Sequence, residues 1–510
     1  MMNTGGMNEA IRENQVIVDE SNFTVALSKH CTSTAAAKRL FFLFLLTIPL
    51  VNPWVRGDGV GYYAYLRSAL IDHDLRFEND YLAGNRSFVM SRFDAQGRLL
   101  PLFYTRTGYV ENHFTVGPAL LWAPVIVLVH GIVIALNHLG VNVKPNGLSG
   151  PYLLALALTT ATYGFFSLFL SFQIARKYFD AKLAFLATVG IWFATSLPVY
   201  MYFNPSWSHA HSAFAVALFL WYWDRTRLRR STAQWIILGL MAGLMGNIYY
   251  ANIILLIFPG LEVLYLYRME HTGSTNKRGL SRNIAADCVL FAATVFVSLL
   301  PTFVTRQIIY GNPFETGYPS ILTWNWRTPA LLQVLFSPNH GLFSWTPIVL
   351  VAVVGLFCCT KKDILLGGGS LITFLAFYYF IASYPDWAGV SSYGNRFFIS
   401  LTPIFILGLA SLLNAGSTWD GRNLRTARLG IATVALLSIW NWGFIFQWGT
   451  HLVPARGPIS WSEMVHNQFF VVPGRLSHSL EAYFLGRKDL MQHIEEGDID
   501  QQRDSGRLKD

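Results

Sequence analysis

About twelve apolar runs recur along this chain, each close to the roughly 20 residues that a helix needs to cross a bilayer. They cover about 40–55, 115–137, 150–174, 183–202, 209–223, 234–250, 252–267, 284–305, 342–360, 364–383, 397–414 and 429–448. Because lipid offers the backbone no hydrogen-bond partners, runs of this length must be helical. The sequence therefore predicts an all-α, polytopic integral membrane bundle of about 11–13 transmembrane helices.

The composition excludes the soluble classes of protein. Charged residues make up 13% of the 510 residues, and apolar residues 53%. An ordinary soluble protein carries roughly 25% charged residues, and a soluble chain this long would need two or more domains with charged surfaces. A soluble enzyme, a disordered protein and a disulfide scaffold are therefore excluded. The four cysteines have no spacing typical of a zinc site.

The net charge of +9 comes largely from short basic clusters between the apolar runs. This is the positive-inside pattern of cytoplasmic loops, and it favours a membrane protein over a nucleic-acid-binding surface. We expect no nucleic-acid partner. The clusters are Lys38-Arg39, Arg176-Lys177, Arg225 with Arg227, Arg229 and Arg230, Lys277-Arg278, Lys361-Lys362, and Arg422 with Arg425 and Arg428.

These clusters predict the organisation of the chain. Residues 1–37 form a polar cytoplasmic segment, and 38–448 form the transmembrane domain, which includes a long first extracytoplasmic loop at 56–114. Residues 449–510 are expected outside, and their end, 487–510, has the alternating charges of a solvated tail. We expect a multi-pass protein of the cell (inner) membrane with its site on the extracytoplasmic side.

The first three runs pose a conflict of orientation. Lys38-Arg39 and Arg176-Lys177 can share the cytoplasmic side only if an even number of crossings separates them. Three runs lie between them, so one should not cross fully. We expect this of 115–137, which Pro118 and Pro124 interrupt and which could enter the membrane and return.

The segment from Gly57 to Leu70 follows the first run, so Asp58 lies at the membrane–water boundary. From Tyr62 to Leu70 the apolar and aromatic residues recur at helical spacing, which predicts an interfacial helix. A carboxylate in this position can activate a hydroxyl nucleophile or bind a divalent metal. The alternative is that Asp58 only caps the helix.

An Asp directly after the first span, followed by an aromatic-rich interfacial helix in a long outer loop, resembles the GT-C superfamily of glycosyltransferases. The run from Asp58 to Leu70 resembles the equivalent stretch of oligosaccharyltransferase catalytic subunits. The overall plan also resembles protein mannosyltransferases and lipid A aminoarabinose transferases. The resemblance implies transfer of a sugar from a polyprenyl-phosphate-linked donor, in the presence of membrane lipid, to an extracytoplasmic acceptor that stays unidentified.

The resemblance also implies the role of the first-loop Asp, which is a base or a metal ligand and corresponds here to Asp58. Where members of the family carry a second acid, this chain has Gly59 and Val60. A divalent cation, Mg²⁺ or Mn²⁺, therefore stays an open question, with Asp58 as its ligand if one binds.

Further candidates lie in the same loop and in two later outer loops. We expect Tyr62 on the interfacial helix, and Glu111 and His113 just before the second run, to contact substrate. The later loops supply Arg396 and His340 as partners for a lipid phosphate, and Trp387 as a stacking surface for a sugar. The alternatives are a topology anchor for Arg396, a packing role for His340 and an aromatic belt for Trp387.

A different class of function is a lipid or solute transporter, or a flippase, without glycosyl transfer. Ion-coupled transporters place ionisable residues near mid-membrane, whereas Glu262 and Asp287 lie towards the cytoplasmic ends of their runs. The acids gather instead in the first outer loop, which favours surface catalysis. A catalytically silent scaffold is the third alternative, and it predicts that Asp58→Asn leaves function intact.

Overall fold

In the computed structural model the chain is described over residues 34–271, 284–419, 424–454 and 459–504. Within these ranges the structure is mainly helical, with two isolated β-bridges in the first loop. Most of the predicted N-terminal segment lies outside the described residues. The helices are α1 34–47, α2 Asp58–Arg67, α3 Glu78–Leu82, α4 Arg86–Met90, α5 Gly117–His138, α6 Gly150–Tyr178, α7 Ala181–Phe193, α8 His209–Thr226, α9 Thr232–Ile248, α10 Ile257–His271, α11 Ile284–Ser298, α12 Leu300–Tyr310, α13 Leu331–Phe336, α14 Leu342–Trp345, α15 Pro347–Lys362, α16 Gly369–Ser383, α17 Thr402–Trp419, α18 Leu424–Gly449, α19 Trp461–His466, α20 Val472–Leu485 and α21 Arg487–Asp504.

Each predicted apolar run coincides with helix, so the protein is an all-α, multi-pass membrane protein. Among the described residues, six helical stretches are long and apolar enough to cross a bilayer, and α11 with α12 forms a seventh that bends by 45°. Several other runs, such as α7 and α9, form shorter apolar helices. For this reason the length criterion finds fewer spans than the 11–13 predicted from the runs.

The structure corrects the prediction for 115–137 at α5. This helix is continuous through Pro124, so the predicted reversal inside 115–137 is wrong. The chain reverses after α5 instead, and the first half of α6 returns antiparallel to it. Trp122 Nε1 donates to Thr160 Oγ1 at 2.9 Å, and the His130 ring and Tyr152 hydroxyl are 2.7 Å apart.

The second half of α6 lies beside α1 and ends at the basic cluster Arg176-Lys177. Phe165 of α6 stacks on Phe44 of α1 at 4.6 Å. Lys177, at the end of α6, pairs with Asp224 at the end of α8 at 2.9 Å.

Small residues allow the central helices to approach closely. At the crossing of α15 and α17, a Cβ on Gly355 would lie 1.9 Å from the carbonyl oxygen of Gly408, and one on Gly408 would lie 2.1 Å from that of Ala352. Such contacts between backbones are typical of helix packing in membranes, where dispersion replaces the hydrophobic effect.

The prediction of a solvated tail at 487–510 is wrong for residues 487–504. These residues form α21, which packs against the first outer loop. Glu495 accepts hydrogen bonds from the Ser87 amide at 2.5 Å and from Asn85 Nδ2 at 2.9 Å, and Ile499 is buried beside it. Glu495 therefore finds its hydrogen-bond donors in the first outer loop. The alternating charges of 487–504 are typical of a solvated tail, but here they belong to a helix that packs on the rest of the protein.

Candidate active site

Asp58 is held at the start of α2 by tight packing of the residues around it. Gly57 is the N-cap, with φ of +53°, and Asp58 is the first helical residue, so the capping role considered for Asp58 falls to Gly57. A Cβ on Gly59 would lie 1.9 Å from Ser206 Oγ. Residues 59–67 are all buried, so α2 lies beneath the rest of the first loop and its first carboxylate is fixed in direction.

The structure brings Asp58 together with Arg396, a residue from the far end of the sequence. Arg396 Nη1 lies 2.8 Å from Asp58 Oδ2, and the side chains are 12% and 30% exposed. The guanidinium stacks on Trp207 at 4.4 Å from the ring centroid. Its Nε is buried and has no hydrogen-bond partner among the described residues. Because the Arg396 side chain as a whole keeps 12% of its surface exposed, a bound anion can still approach the guanidinium.

Three tyrosines surround this pair from separate elements: Tyr62 on α2, Tyr318 in the loop after α12, and Tyr384 after α16. Burial raises the pKa of Tyr62 and of Tyr318, and the negative charge of Asp58 raises both further. Burial, with a contribution from Asp58, raises the pKa of Tyr384 to about 12. All three phenols stay protonated at neutral pH and can donate hydrogen bonds to substrate oxygens.

Glu111 and His113 reach the pair through aromatic rings. Glu111 Oε1 lies 3.7 Å from His113 Nδ1, and both side chains are partly exposed. The His113 ring packs against Tyr318 at 5.0 Å and against Phe114, which in turn contacts Tyr62 at 4.9 Å. Glu111 and His113 are therefore connected to the Asp58–Arg396 pair through these aromatic rings, on the same side of the site as Tyr62.

Trp387 is half-buried in the loop that carries Arg396. Its amide donates to the Tyr384 carbonyl at 3.2 Å, and its own carbonyl accepts from Asn395 Nδ2 at 3.1 Å. These bonds close the loop from Tyr384 to Asn395. Trp387 is thereby tied to the residue immediately before Arg396.

His340 differs from the other predicted residues because its ring is fully buried. It stacks on Trp345 at 4.9 Å, and Trp345 packs on Tyr393 at 5.2 Å. A ring without exposed surface cannot meet a lipid phosphate, so the structure favours the packing role considered for His340.

Sequence reasoning missed four aromatic residues of the site: Trp207, Tyr200, Tyr318 and Tyr384. Tyr200 accepts a hydrogen bond from the Tyr393 amide at 3.1 Å, close to Arg396. Trp207 stands two residues before α8, and Tyr384 directly follows α16. Their position at the outer ends of predicted spans was the available signal, although aromatic belts produce the same signal.

The described residues do not fit a divalent metal. Among them, no group of three His, Cys, Asp or Glu side chains comes together as a ligand set. The carboxylate expected to bind the ion is instead paired with the Arg396 guanidinium at 2.8 Å, whose charge would repel a dication. We therefore derive no step through a metal.

Comparison with known proteins gives structural neighbours only. No family model and no curated protein matches the sequence. One solved neighbour is the archaeal oligosaccharyltransferase AglB from Archaeoglobus fulgidus, in complex with an inhibitory peptide and a dolichol-phosphate. It is 13% identical with a TM-score of 0.45, over 92% of this chain and 56% of that one. Another is the Archaeoglobus fulgidus oligosaccharyltransferase in complex with Zn and sulfate, 17% identical with a TM-score of 0.46, over 84% and 58%.

These neighbours are enzymes of a type that the Asp58–Leu70 segment resembles. The chain spans less than two thirds of their length. At these TM-scores and identities the likeness establishes no activity, and the case for a function comes from the site itself.

Proposed function

We propose that this protein is a membrane glycosyltransferase that transfers a sugar from a polyprenyl-phosphate-linked donor to an acceptor hydroxyl outside the cytoplasm. The observation that carries the proposal is the pair of Asp58 and Arg396, whose charged atoms are 2.8 Å apart and whose side chains stay 30% and 12% exposed. Asp58 is the first residue of α2, and Arg396 begins the helical turn Arg396–Leu401 directly before α17. A base and an anion-binding cation in contact are the two groups that this transfer needs.

In the proposed step, the acceptor oxygen attacks the anomeric carbon while the bond from that carbon to the phosphate oxygen breaks. The acceptor proton passes to the Asp58 carboxylate, and the negative charge that develops on the leaving phosphate is stabilised by Arg396. Attack opposite to the leaving group inverts the anomeric configuration. Donor binding must draw Arg396 towards the phosphate, which frees the carboxylate to accept the proton.

The surrounding residues supply orientation. The phenols of Tyr62, Tyr318 and Tyr384 can donate to sugar or phosphate oxygens, because a phenol is protonated at neutral pH and burial raises the pKa of all three further. Stacking on Trp207 limits the directions that the Arg396 guanidinium can take. Such fixed donors lower the cost of reorganisation when charge develops during the reaction.

The test is sugar transfer by purified protein in lipid with a panel of labelled polyprenyl-phosphate sugars. Wild type is compared with Asp58→Asn and with Asp94→Asn, which changes a carboxylate of the same loop that pairs with Arg98 away from the site. We expect turnover in the wild type and the Asp94 variant and its loss in the Asp58 variant. Each reaction is repeated with a chelator, and turnover should persist because the donor set does not fit a metal.

Equal turnover of the two variants would reject Asp58 as the base while leaving the enzyme class in place. Loss of turnover with chelator would show that a metal enters the site after all. If no donor is turned over but labelled lipid or solute moves across liposomes containing the protein, the protein is a flippase or transporter and the proposal is wrong.

A further inference from the structure

A second site is visible as a groove of about 1050 Å³ between α7, α18 and the C-terminal pair α20–α21. This lateral groove is lined mainly by apolar and aromatic side chains, among them Phe193, Ile431, Ile439, Trp442 and Leu480. Its volume lies at the upper end of the range for small-molecule sites, about 300–1,000 Å³. A ligand of that size with a largely hydrocarbon surface fits it.

The groove opens sideways along a helix that is long and apolar enough to span the membrane. Its wall on α18 includes Ile431 and Ile439, which are 57% and 69% exposed. Apolar side chains exposed at this level of a spanning helix face lipid rather than water. Hydrocarbon chains of the bilayer can therefore enter the groove directly.

One end of the groove is polar and is occupied by carboxylates of α21. Asp498 lies 3.1 Å from Arg56 and 3.0 Å from the His451 ring, and Glu495 accepts a hydrogen bond from the Ser87 amide. A guanidinium, an imidazole and a backbone amide form a donor set for an anionic head group. In this structure the donors are bonded to the carboxylates of Asp498 and Glu495.

The polar end is separate from the Asp58–Arg396 pair. Trp207 lines the groove, and its ring stacks on Arg396. The indole nitrogen donates to the backbone carbonyl of Arg56 at 3.0 Å, whereas the Arg56 guanidinium lies over Trp54 and pairs with Asp498. The two guanidiniums therefore have different aromatic and carboxylate partners.

We propose that the lateral groove binds a hydrocarbon chain of an anionic bilayer phospholipid, and that its head group competes with Asp498 and Glu495 for Arg56, His451 and Ser87. The helix α21 is then a lid that closes the head-group end when no lipid is bound. This proposal goes beyond the proposed function and does not depend on it, because lipid binding can be measured without any transfer.

The groove is tested by photo-crosslinking in phosphatidylcholine vesicles that contain a photoactivatable phosphatidylglycerol, with the labelled peptides identified by mass spectrometry. We expect label in 431–449 and 472–485. Ile439→Trp and Ala435→Trp, which fill the groove, should each reduce it on the order of tenfold. Val127→Trp places the same ring on an exposed part of α5 outside the groove and should leave the label unchanged.

The lid is tested with Asp498→Ala, which frees Arg56 and His451, against Asp500→Ala, an exposed acid of the same helix. The Asp498 variant should gain label several-fold from phosphatidylglycerol but not from a photoactivatable phosphatidylcholine, whereas the Asp500 variant should match wild type. An equal gain from both lipids would mean that α21 had only loosened, and it would overturn the assignment of the head-group site.

Two further results would contradict the proposal that an anionic phospholipid occupies the lateral groove. One is label that Ile439→Trp and Ala435→Trp both leave unchanged while thermal unfolding shows that they are folded. The other is displacement of the label by polyprenyl phosphate more strongly than by unlabelled phosphatidylglycerol, which would make the groove the donor's own site. Neither result would reject glycosyl transfer, which the Asp58 variants test separately.

Discussion

Two of the arginine–carboxylate pairs among the described residues differ in how completely their hydrogen-bonding groups are satisfied. The inner pair joins Arg230 to Glu262, where both side chains are 1% exposed. Glu262 accepts from both terminal nitrogens of the arginine at 3.1 Å and from the Leu228 amide at 2.7 Å. In the outer pair, Asp58 keeps about a third of its surface open, and Arg396 Nε lacks a partner among the described residues.

The difference separates a structural pair from a candidate catalytic one. A buried ion pair offsets its desolvation only if further hydrogen bonds satisfy both partners, as they do for Glu262. The outer pair leaves hydrogen-bonding capacity unused, and a partly open carboxylate beside an arginine can exchange its partner for a ligand. Substitutions in the two pairs should therefore change different properties.

The largest effect is expected from Asp58→Asn on activity. Loss of a general base should reduce turnover by about 10²- to 10⁴-fold, while the unfolding temperature should fall less than in Glu262→Gln, because the Asp58 and Arg396 side chains are 30% and 12% exposed. Initial rates and thermal unfolding are measured on the same preparation. A fall in unfolding temperature that matched the fall in rate would assign Asp58 a structural role.

Glu262→Gln should show the opposite pattern. The variant leaves the Arg230 charge buried without its carboxylate, which costs about 3–5 kcal/mol of folding free energy. Protein that still folds should keep wild-type turnover per folded molecule. Denaturant unfolding in detergent, together with the rate of the folded fraction, measures both, and near-normal stability would contradict the contrast between the pairs.

Trp207→Leu should have an intermediate effect, because it removes the ring on which Arg396 stacks. Cation–π contacts contribute about 0.5–2 kcal/mol, so KM for the donor should rise several-fold with a smaller change in kcat. Trp461→Leu is the control, since Trp461 is an exposed residue at the start of α19. Equal changes in the two variants would show that the effect does not depend on the contact with Arg396.

The smallest effect is expected from acid on α21. Burial alone would raise the pKa of Asp498, but the charges of Arg56 and His451 lower it below its usual value. The stabilisation is therefore fully present above the unfolded-state pKa of about 3.9 and is lost as pH falls through the lower folded value. Protection factors of the amides in 487–504, obtained from hydrogen exchange corrected for the intrinsic rate at each pH, should fall over that acid range in wild type and much less in Asp498→Asn.

Much of the fold followed from the sequence because lipid leaves an apolar run few alternatives to helix. The sequence also predicted Asp58 and Arg396 as candidate site residues, since each stands beside a predicted span. Their contact could not be predicted, because it depends on how the intervening helices pack. Trp207 and Tyr384 could not be recognised from the sequence either, because the aromatic residues that lie at membrane interfaces produce the same pattern.

Predictions from the sequence failed where the burial of a side chain depends on contacts with residues far away in the chain. Residues 487–504 carry many charges, and only the docked structure shows that Glu495 and Ile499 face the first loop. His340 stands in an outer loop as a ligand might, yet its ring is buried against Trp345. Burial of a single side chain is set by tertiary contacts, which composition and spacing do not encode.

The pairing of Asp58 with Arg396 has a consequence for biogenesis. Asp58 precedes α5 and the apolar helices that come after it, and Arg396 follows all of these except α17 and α18. A contact between residues so far apart in sequence forms late, after the loop-closure entropy of the intervening chain has been overcome. A chain inserted with one helix missing or reversed would separate the two residues, so activity would report correct insertion of the whole bundle.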